Sequence, residues 1–381
     1  MGLAMARELR GAYPKSSIIV LEKESQVAAH ASGRNSGVIH AGFYYSPDSL
    51  KAKLTRKGNL LLHEFCDAFD VPVLPCGKLV VARNEAEDLV LDTLFTRGQA
   101  NGVPVELIDS EQVKEIEPRA KTFRRALWSP STSSVDPVAV CQCLLDQLKS
   151  SGVQVRLSEG VQVISRTGEI ETTKGSRISA GFVYNCAGLY ADRMAQQMGF
   201  GDKYQILPFK GIYLKPAEMA SPLKTHVYPV PNLKNPFLGV HFTLTVQGEV
   251  KIGPTAIPAF WRENYQGFDN FNFSELGQVG RLEATMFLKN TGGFRTLALS
   301  EMKKYRMEYL QDLAGELVSG IDLKKFSQWT RPGIRAQLVE KKTLSLVQDF
   351  VVERDEKSLH FLNAVSPAFT SAFAMVKEAL P

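Results

Sequence analysis

Two histidines, one arginine and a run of small residues carry most of the chemistry that this sequence offers. The run is His30-Ala-Ser-Gly-Arg-Asn-Ser-Gly-Val-Ile-His-Ala-Gly-Phe-Tyr-Tyr45. Its small side chains let backbone lie against a flat ring, and Arg34 and Asn35 can hydrogen-bond phosphate or ring oxygens. Read alone, the run equally suits a flexible loop. His40 and His241 are candidate proton acceptors, because a neutral imidazole titrates near working pH. For His241, on an alternating strand, a satisfied structural histidine is the competing role. Arg335 can hold a carboxylate through two parallel hydrogen bonds, or form a surface ion pair. Lys210 and Tyr213 can hold a second carboxylate, or be an ordinary solvated lysine and sheet tyrosine. Gly2 and Glu22 are spaced like the third glycine of a G-x-G-x-x-G phosphate loop and the acid that holds an adenosine ribose. A solvated glutamate at a strand end would look the same.

Regular elements must position these groups. Leu3, Ala6 and Leu9 recur at helical spacing before Gly11 and Pro14, which predicts a helix over 2–10. Residues 17–22 form a short β-branched run that reads as a buried parallel strand. Such a strand needs a neighbour, and the helix reads as the second half of a crossover whose first strand is missing. A helix is expected over 48–70 and another from Asp136-Pro137 to Ser150, opened by an N-cap acid and a proline. Strands are expected at 153–157, at 161–164 beside 177–180, and at 182–188. Residues 206–260 are strand-rich and 265–320 helical, with loops near Gly292-Gly293. A strand pair at 350–353 and 359–362 precedes a closing helix.

Composition bounds the function class. The chain has 381 residues, 44% hydrophobic and 22% charged, which fits two globular domains or one large one. The 45 basic and 40 acidic residues are scattered and leave +5, which argues against nucleic acid as a partner. No run of about 18 apolar residues exists, so no transmembrane segment is expected. Cysteines 66, 76, 141, 143 and 186 have neither disulfide-framework nor zinc spacing, and the six histidines show no metal-ligand spacing, so no metal is expected. Asp192 is expected to serve backbone amides near a helix start rather than catalysis.

Taken together, the motifs resemble the D-amino-acid-oxidase-like FAD oxidoreductases over nearly the whole chain. Ser32 to Gly42 looks most like the L-2-hydroxyglutarate dehydrogenases and oxidases in that family. Tyr184 to Asp192 resembles its strand-to-helix turn at the FAD. Leu207 to Gly211 with Tyr213, Tyr228 to Pro231, Phe237 to Thr243 and Gly253-Pro254 resemble its substrate-domain strands. Pro332 to Gln337 resembles the segment that brings an arginine to the substrate carboxylate, and Ser366 to Ser371 the closing-helix entry near the flavin. The family tends to carry glycine where this chain has Ala368, whose methyl either crowds the flavin or is harmless if the backbone angle is ordinary.

The resemblance implies an α/β fold: a Rossmann-like FAD-binding domain, its first strand missing, interleaved with an α+β substrate domain on an antiparallel sheet. The expected division is 1–75, 134–205 and 325–381 for FAD, and 76–133 and 206–324 for substrate. It implies FAD contacts at Gly2, Glu22, Lys23, Ser32, Arg34, Asn35, Ser36, Gly37, Val161, Ala187, Gly188, Gly333, Ser366 and Ser371. It implies hydride transfer from a 2-hydroxy acid to flavin N5, with Arg335, His40 and His241 catalytic and Lys210 and Tyr213 on the substrate. At His40, flavin packing or covalent flavin attachment competes with the base role. The substrate implied is a small 2-hydroxy dicarboxylate, the acceptor oxygen, a quinone or an electron-transfer protein. The implied location is the cytoplasm, with or without peripheral membrane association, or the mitochondrion in a eukaryote. The alternatives are an amino-acid or N-methylamine oxidase, and a chain that no longer retains FAD.

Overall fold

The computed structural model describes residues 1–218, 222–233, 237 and 239–380. Leu238, within the Phe237 to Thr243 run, lies outside the described residues. Helix α1, Gly2–Ala12, buries Ala4, Met5 and Ala6 and leads to strand β1, Ile19–Leu21. The strand β1 pairs in parallel with Gln154–Arg156, Ile19 opposite Gln154. Between them in sequence runs the helix Pro137–Ser150, started by the Asp136 carboxylate, which accepts from the amides of Val138 at 2.8 Å and Ala139 at 3.4 Å. A second parallel pair joins Val183–Asn185 to Ser358–Phe361, with Val352–Arg354 antiparallel on its far side. No described strand joins the two parallel groups. Residues of β1 and of Val183–Asn185 border one common cavity.

Helix α2, Leu50–Ala68, and the closing helix, Ala368–Ala379, pack against each other and on α1 through Leu62, Phe65, Met5 and Phe373. Gly58 lets α2 approach closely: a Cβ there would stand 2.6 Å from Ser371 Cα and strike the Thr370 carbonyl. The two helices are therefore in backbone contact where the closing helix meets the cavity.

A larger sheet has eight strands in the order Gln328–Trp329, Leu214–Lys215, Val250–Gly253, His241–Leu244, His226–Pro229, Lys78–Val81, Arg125–Ser129, Glu106–Asp109. The expectation of an antiparallel sheet needs one correction: His226–Pro229 runs parallel to Lys78–Val81. These segments lie almost 150 residues apart, so no hairpin forces them antiparallel. A four-stranded sheet pairs Tyr204–Gly211 with Gly333–Glu340 along its length, Phe209 opposite Arg335. The division into 1–75, 134–205 and 325–381 against 76–133 and 206–324 stays a proposal; this long pairing crosses it. The strands Val161–Ile164 and Arg177–Ser179 are not neighbours as expected, because Glu169–Thr172 lies between them. The helical stretch 265–320 is three helices, Phe273–Lys289, Phe294–Lys303 and Met307–Gly315, with Gly292 and Gly293 at positive φ between the first two.

Gly58→Ala is expected to lower unfolding stability by about 1–3 kcal/mol, the usual cost of an overpacked contact. Urea midpoints with an unchanged slope would check this; equal midpoints would mean that the helices separate without cost.

Candidate active site

Helix α1, the loop 30–46 and the sheets border a cavity of about 1940 Å³, well above the size of ordinary small-molecule pockets. It runs from α1 and β1, past the loop 30–46, to Arg335 and the strand ends of the large sheet. Of the residues singled out in the sequence, Gly2, Glu22, Lys23, Ser32, Arg34, Asn35, Ser36, His40, Val161, Ala187, Gly188, Tyr213, His241, Gly333, Arg335 and Ser366 all border it. Glu22, Gly188 and Ser366 come from three distant segments and meet at this one space. Gly37, Ser371 and Lys210 do not border it. Gly37 serves the turn instead, at φ +76 and packed on the Val135 carbonyl. Ser371 Oγ lies 3.2 Å from Thr55 Oγ1 between the helices. Lys210 alternates with Phe209 and Gly211, which do border the cavity, and so turns the other way.

Arg34 and Asn35 border the cavity, and their polar groups also hold the loop. Arg34 Nε donates to the Ala29 carbonyl at 2.7 Å, Nη1 donates to Pro332 at 3.1 Å, and the guanidinium lies 4.1 Å from the Tyr265 ring centroid. Asn35 Nδ2 donates to the Ser32 carbonyl at 2.8 Å, and its Oδ1 accepts from the Gly37 amide at 2.8 Å. Gly333 presses against this loop: a Cβ there would lie 2.5 Å from the Arg34 carbonyl. The His40 amide donates to Thr370 Oγ1 at 3.1 Å, tying the loop to the closing helix.

His241 is buried, its ring stacked on Tyr228 at 3.7 Å between centroids and 14° between planes. Its Nδ1 lies 2.8 Å from the Gly239 carbonyl, which can only accept, so Nδ1 carries the proton and Nε2 keeps a lone pair. Burial pulls the His241 pKa down to about 3. Burial also holds His40 well below the ordinary histidine value, and the charge of Lys78 adds to the effect on both. Among the described residues the His40 ring has no hydrogen-bond partner. Lys78 lies beneath the cavity, wholly buried, with its ammonium 4.4 Å from the Tyr228 ring centroid and 5.2 Å from that of Tyr44. Burial lowers Lys78 to about 7. Arg335 donates from Nε to Gln337 Oε1 at 3.1 Å, lies 4.9 Å from the Phe237 ring centroid, and is lowered to about 10 by burial. The site thus sets two neutral imidazoles and a guanidinium on the wall of one cavity.

Sequence reasoning missed Lys51, Tyr44, Tyr45, Tyr228 and Asp349 on the wall. Of these, the Tyr44-Tyr45 pair, at the end of the small-residue run, and Tyr228, in the run Tyr228 to Pro231, carried a signal. The other histidines are structural, except that His30 also borders the cavity. His226 Nδ1 accepts from the Leu244 amide at 3.1 Å, while His63 and His360 bond to Ser133 and Ser358. Glu24, His30 and Glu263 converge within 4.8 Å, the spacing of a metal site. Lys23 occupies that charge position instead, 2.8 Å from Glu263 and also paired with Glu24. Asp192 accepts from the amides of Arg193 and Ile206, as expected, and also from the buried Arg262 at 2.7 and 2.9 Å. Ala368 begins its helix without positive φ, so its backbone angle is ordinary.

Comparison with known proteins places this geometry. The family model described as FAD dependent oxidoreductase matches residues 1–379. The L-2-hydroxyglutarate dehydrogenase of human mitochondria is 36% identical, covering 98% of this chain and 84% of its own. That of Caenorhabditis elegans is 37% identical, covering 99% and 89%, and that of Escherichia coli 34%, covering 98% and 88%. Among solved structures, L-α-glycerophosphate oxidase from Mycoplasma pneumoniae with FAD bound is similar at TM-score 0.75 and 23% identity, covering 99% of this chain and 90% of that one. Glycine oxidase from Geobacillus kaustophilus is similar at TM-score 0.66 and 18% identity, covering 99% and 92%.

The lining fits such a cofactor. The first turn of α1 has no side-chain cap, so its amides remain as phosphate donors at the cavity edge. Glu22 follows the end of β1. Gly188, at φ +55, has nothing within 4 Å of where a Cβ would stand.

Histidines held neutral by burial make the fold acid-sensitive. Their folded pKa values lie below the unfolded value of about 6.5, so the stability they allow is complete above that pH and is lost as pH falls toward about 3 to 4. His241→Asn is expected to flatten the fall of stability between pH 6.5 and 4 by up to about 1.4 kcal/mol per pH unit. Thermal melts across that range would show an unaltered slope if His241 were protonated in the fold.

Proposed function

Since the chain belongs to the DAO family of FAD-dependent oxidoreductases, we propose that it oxidises L-2-hydroxyglutarate to 2-oxoglutarate. The observation that carries the reading is that Arg335 and two neutral imidazoles line one cavity, in a chain 34–37% identical along nearly its whole length to enzymes of that name. The first turn of α1 with Gly2 would hold the FAD pyrophosphate, Glu22 the ribose, and the small-residue backbone of 32–42 with Ser366 the ring. When bound, the flavin supplies the two-electron acceptor for the hydrogen on the hydroxyl-bearing carbon.

This chain's residues do the rest. Arg335 binds the carboxylate next to the hydroxyl and fixes which face of the carbon is presented. His241 takes the hydroxyl proton on Nε2, since its Nδ1 proton is committed to Gly239. The substrate's negative charge raises the imidazole pKa on binding, which brings the acceptor closer to working range. His40 faces the same space from the loop, and the rings of Tyr45, Tyr213 and Phe237 keep water out.

The chain also carries a surface suited to a lipid interface. Phe268 is 82% exposed, Phe273 81% and Leu288 75%, and Phe260, Phe271, Leu299, Met302 and Tyr305 are exposed with them. Along 260–306 the exposed charges are Arg281, Lys289, Arg295, Lys303 and Arg306 against Asp269 alone. Exposed aromatic rings among basic residues favour an anionic bilayer surface. No helix among the described residues is long and apolar enough to cross a membrane. Peripheral attachment to the inner face of a bacterial membrane, or to a mitochondrial membrane in a eukaryote, is therefore the proposed location. A quinone in that membrane is the proposed electron acceptor.

In the FAD-loaded protein, Arg335→Met is expected to raise KM for L-2-hydroxyglutarate roughly 10- to 100-fold, and His241→Asn to lower kcat about 100-fold or more. Steady-state kinetics check both; an unchanged KM for the first would remove Arg335 from the substrate. The protein is further expected to sediment with phosphatidylglycerol vesicles and not with phosphatidylcholine ones. A Phe268→Ser, Phe273→Ser double variant should stay in the supernatant; co-sedimentation of that variant would assign membrane binding elsewhere.

A further inference from the structure

Helix α2 brings a second cation to the end of the cavity that holds Arg335. Lys51 lies in the first turn of α2, is 5% exposed, and borders the cavity. Its ammonium is 5.8 Å from the Tyr45 ring centroid and 5.7 Å from that of Phe350. Among the described residues no carboxylate lies within ion-pair distance of it. Asp349 is the acid that favours its charged form, but that carboxylate is engaged by the amides of Leu50 at 2.7 Å, Lys51 at 2.9 Å and Phe350 at 2.8 Å. Arg97, whose Nη1 donates to the Tyr44 carbonyl at 2.9 Å, also borders the cavity. Burial, then the charge of Arg335, lowers Lys51 to about 7.

A buried ammonium without an anion is destabilising, and a hydrophobic residue of equal length would pack there at less cost. The cost is recovered when a ligand brings the anion. Arg335 stands on a sheet strand and Lys51 on a helix, so a ligand with a carboxylate at each end gives each cation an anion of its own. Lys210, the residue that sequence reasoning offered for the far carboxylate, faces away from the cavity. We propose that Lys51 binds the second carboxylate of a dicarboxylic 2-hydroxy acid, remote from the hydroxyl, while Arg335 binds the first. Lys51 is then the residue that selects five-carbon diacids over monocarboxylic 2-hydroxy acids. Losing it leaves the hydroxyl, Arg335 and the histidines in place but removes the far anchor.

This inference rests on the activity proposed above, and its test separates the two. The FAD-loaded wild type is compared with Lys51→Met and Lys51→Gln on L-2-hydroxyglutarate and L-2-hydroxybutanoate. In either variant the ratio of kcat/KM between diacid and monoacid is expected to fall by at least about 30-fold, mostly through KM, as for loss of a charge-assisted pair. Calorimetric affinity for 2-oxoglutarate should fall in parallel, and Lys51→Arg should restore most of both. The melting temperature of Lys51→Met without ligand should match or exceed the wild type, which separates a binding role from a packing role. If wild type does not prefer the diacid, the proposed activity fails. If wild type prefers it and both variants keep the ratio, Lys51 is not the anchor.

Discussion

Positive charge held out of water is the constraint on which this active site depends. Arg335 and Lys51 stand in or beside a buried cavity, and Lys78 lies directly beneath it. In a low-dielectric interior, cations depress one another and every neighbouring base. Burial comes first: it holds His40 and His241 neutral and lowers Lys51 and Lys78 to about 7, with the charge of Lys78 adding to the effect on the histidines and that of Arg335 to the effect on Lys51. An anionic ligand relieves all of these interactions at once. The same field that repels a proton attracts a carboxylate, and a dicarboxylate more strongly.

The scaffold's task is to hold these groups still while they repel one another. It does so with neutral hydrogen bonds and close backbone approaches. Arg34 and Asn35 bind loop carbonyls and amides, the His40 amide meets Thr370, and Gly333 abuts the Arg34 carbonyl. Gly58 brings α2 against the closing helix, and Lys51 sits at the start of the same α2. One helix thus joins the substrate end of the cavity to the closing-helix turn at Ser366. Such preorganisation lets a few polar groups discriminate strongly, because their positions are set before ligand arrives.

Local signals in the sequence were readable where one residue type has one local job. Asp136-Pro137 opens its helix, β1 runs parallel, and Gly292-Gly293 breaks the helical stretch. The loop from His30 to Tyr45 lines the cavity along much of its length, and sixteen of the nineteen residues singled out border it. What was not legible depends on tertiary contact. The strand Glu169–Thr172 is short and half exposed, so it carries no hydrophobic run. The parallel join of His226–Pro229 to Lys78–Val81 is a matter of topology. Lys51 looks like any exposed helix lysine until α2 is laid against the cavity. The bonds of Arg34 to the Ala29 and Pro332 carbonyls were not legible either, because a guanidinium on a loop serves phosphate and backbone carbonyls equally well.

The proposed oxidation requires that this cavity, loaded with FAD, pass two electrons from L-2-hydroxyglutarate to the flavin. Anaerobic mixing of the FAD-loaded protein with substrate tests it without any assumption about the final acceptor. L-2-hydroxyglutarate is expected to bleach the visible flavin absorbance completely and to yield one equivalent of 2-oxoglutarate, while glycine and sarcosine leave the spectrum unchanged. Bleaching by glycine or sarcosine, with none by L-2-hydroxyglutarate, would contradict the account.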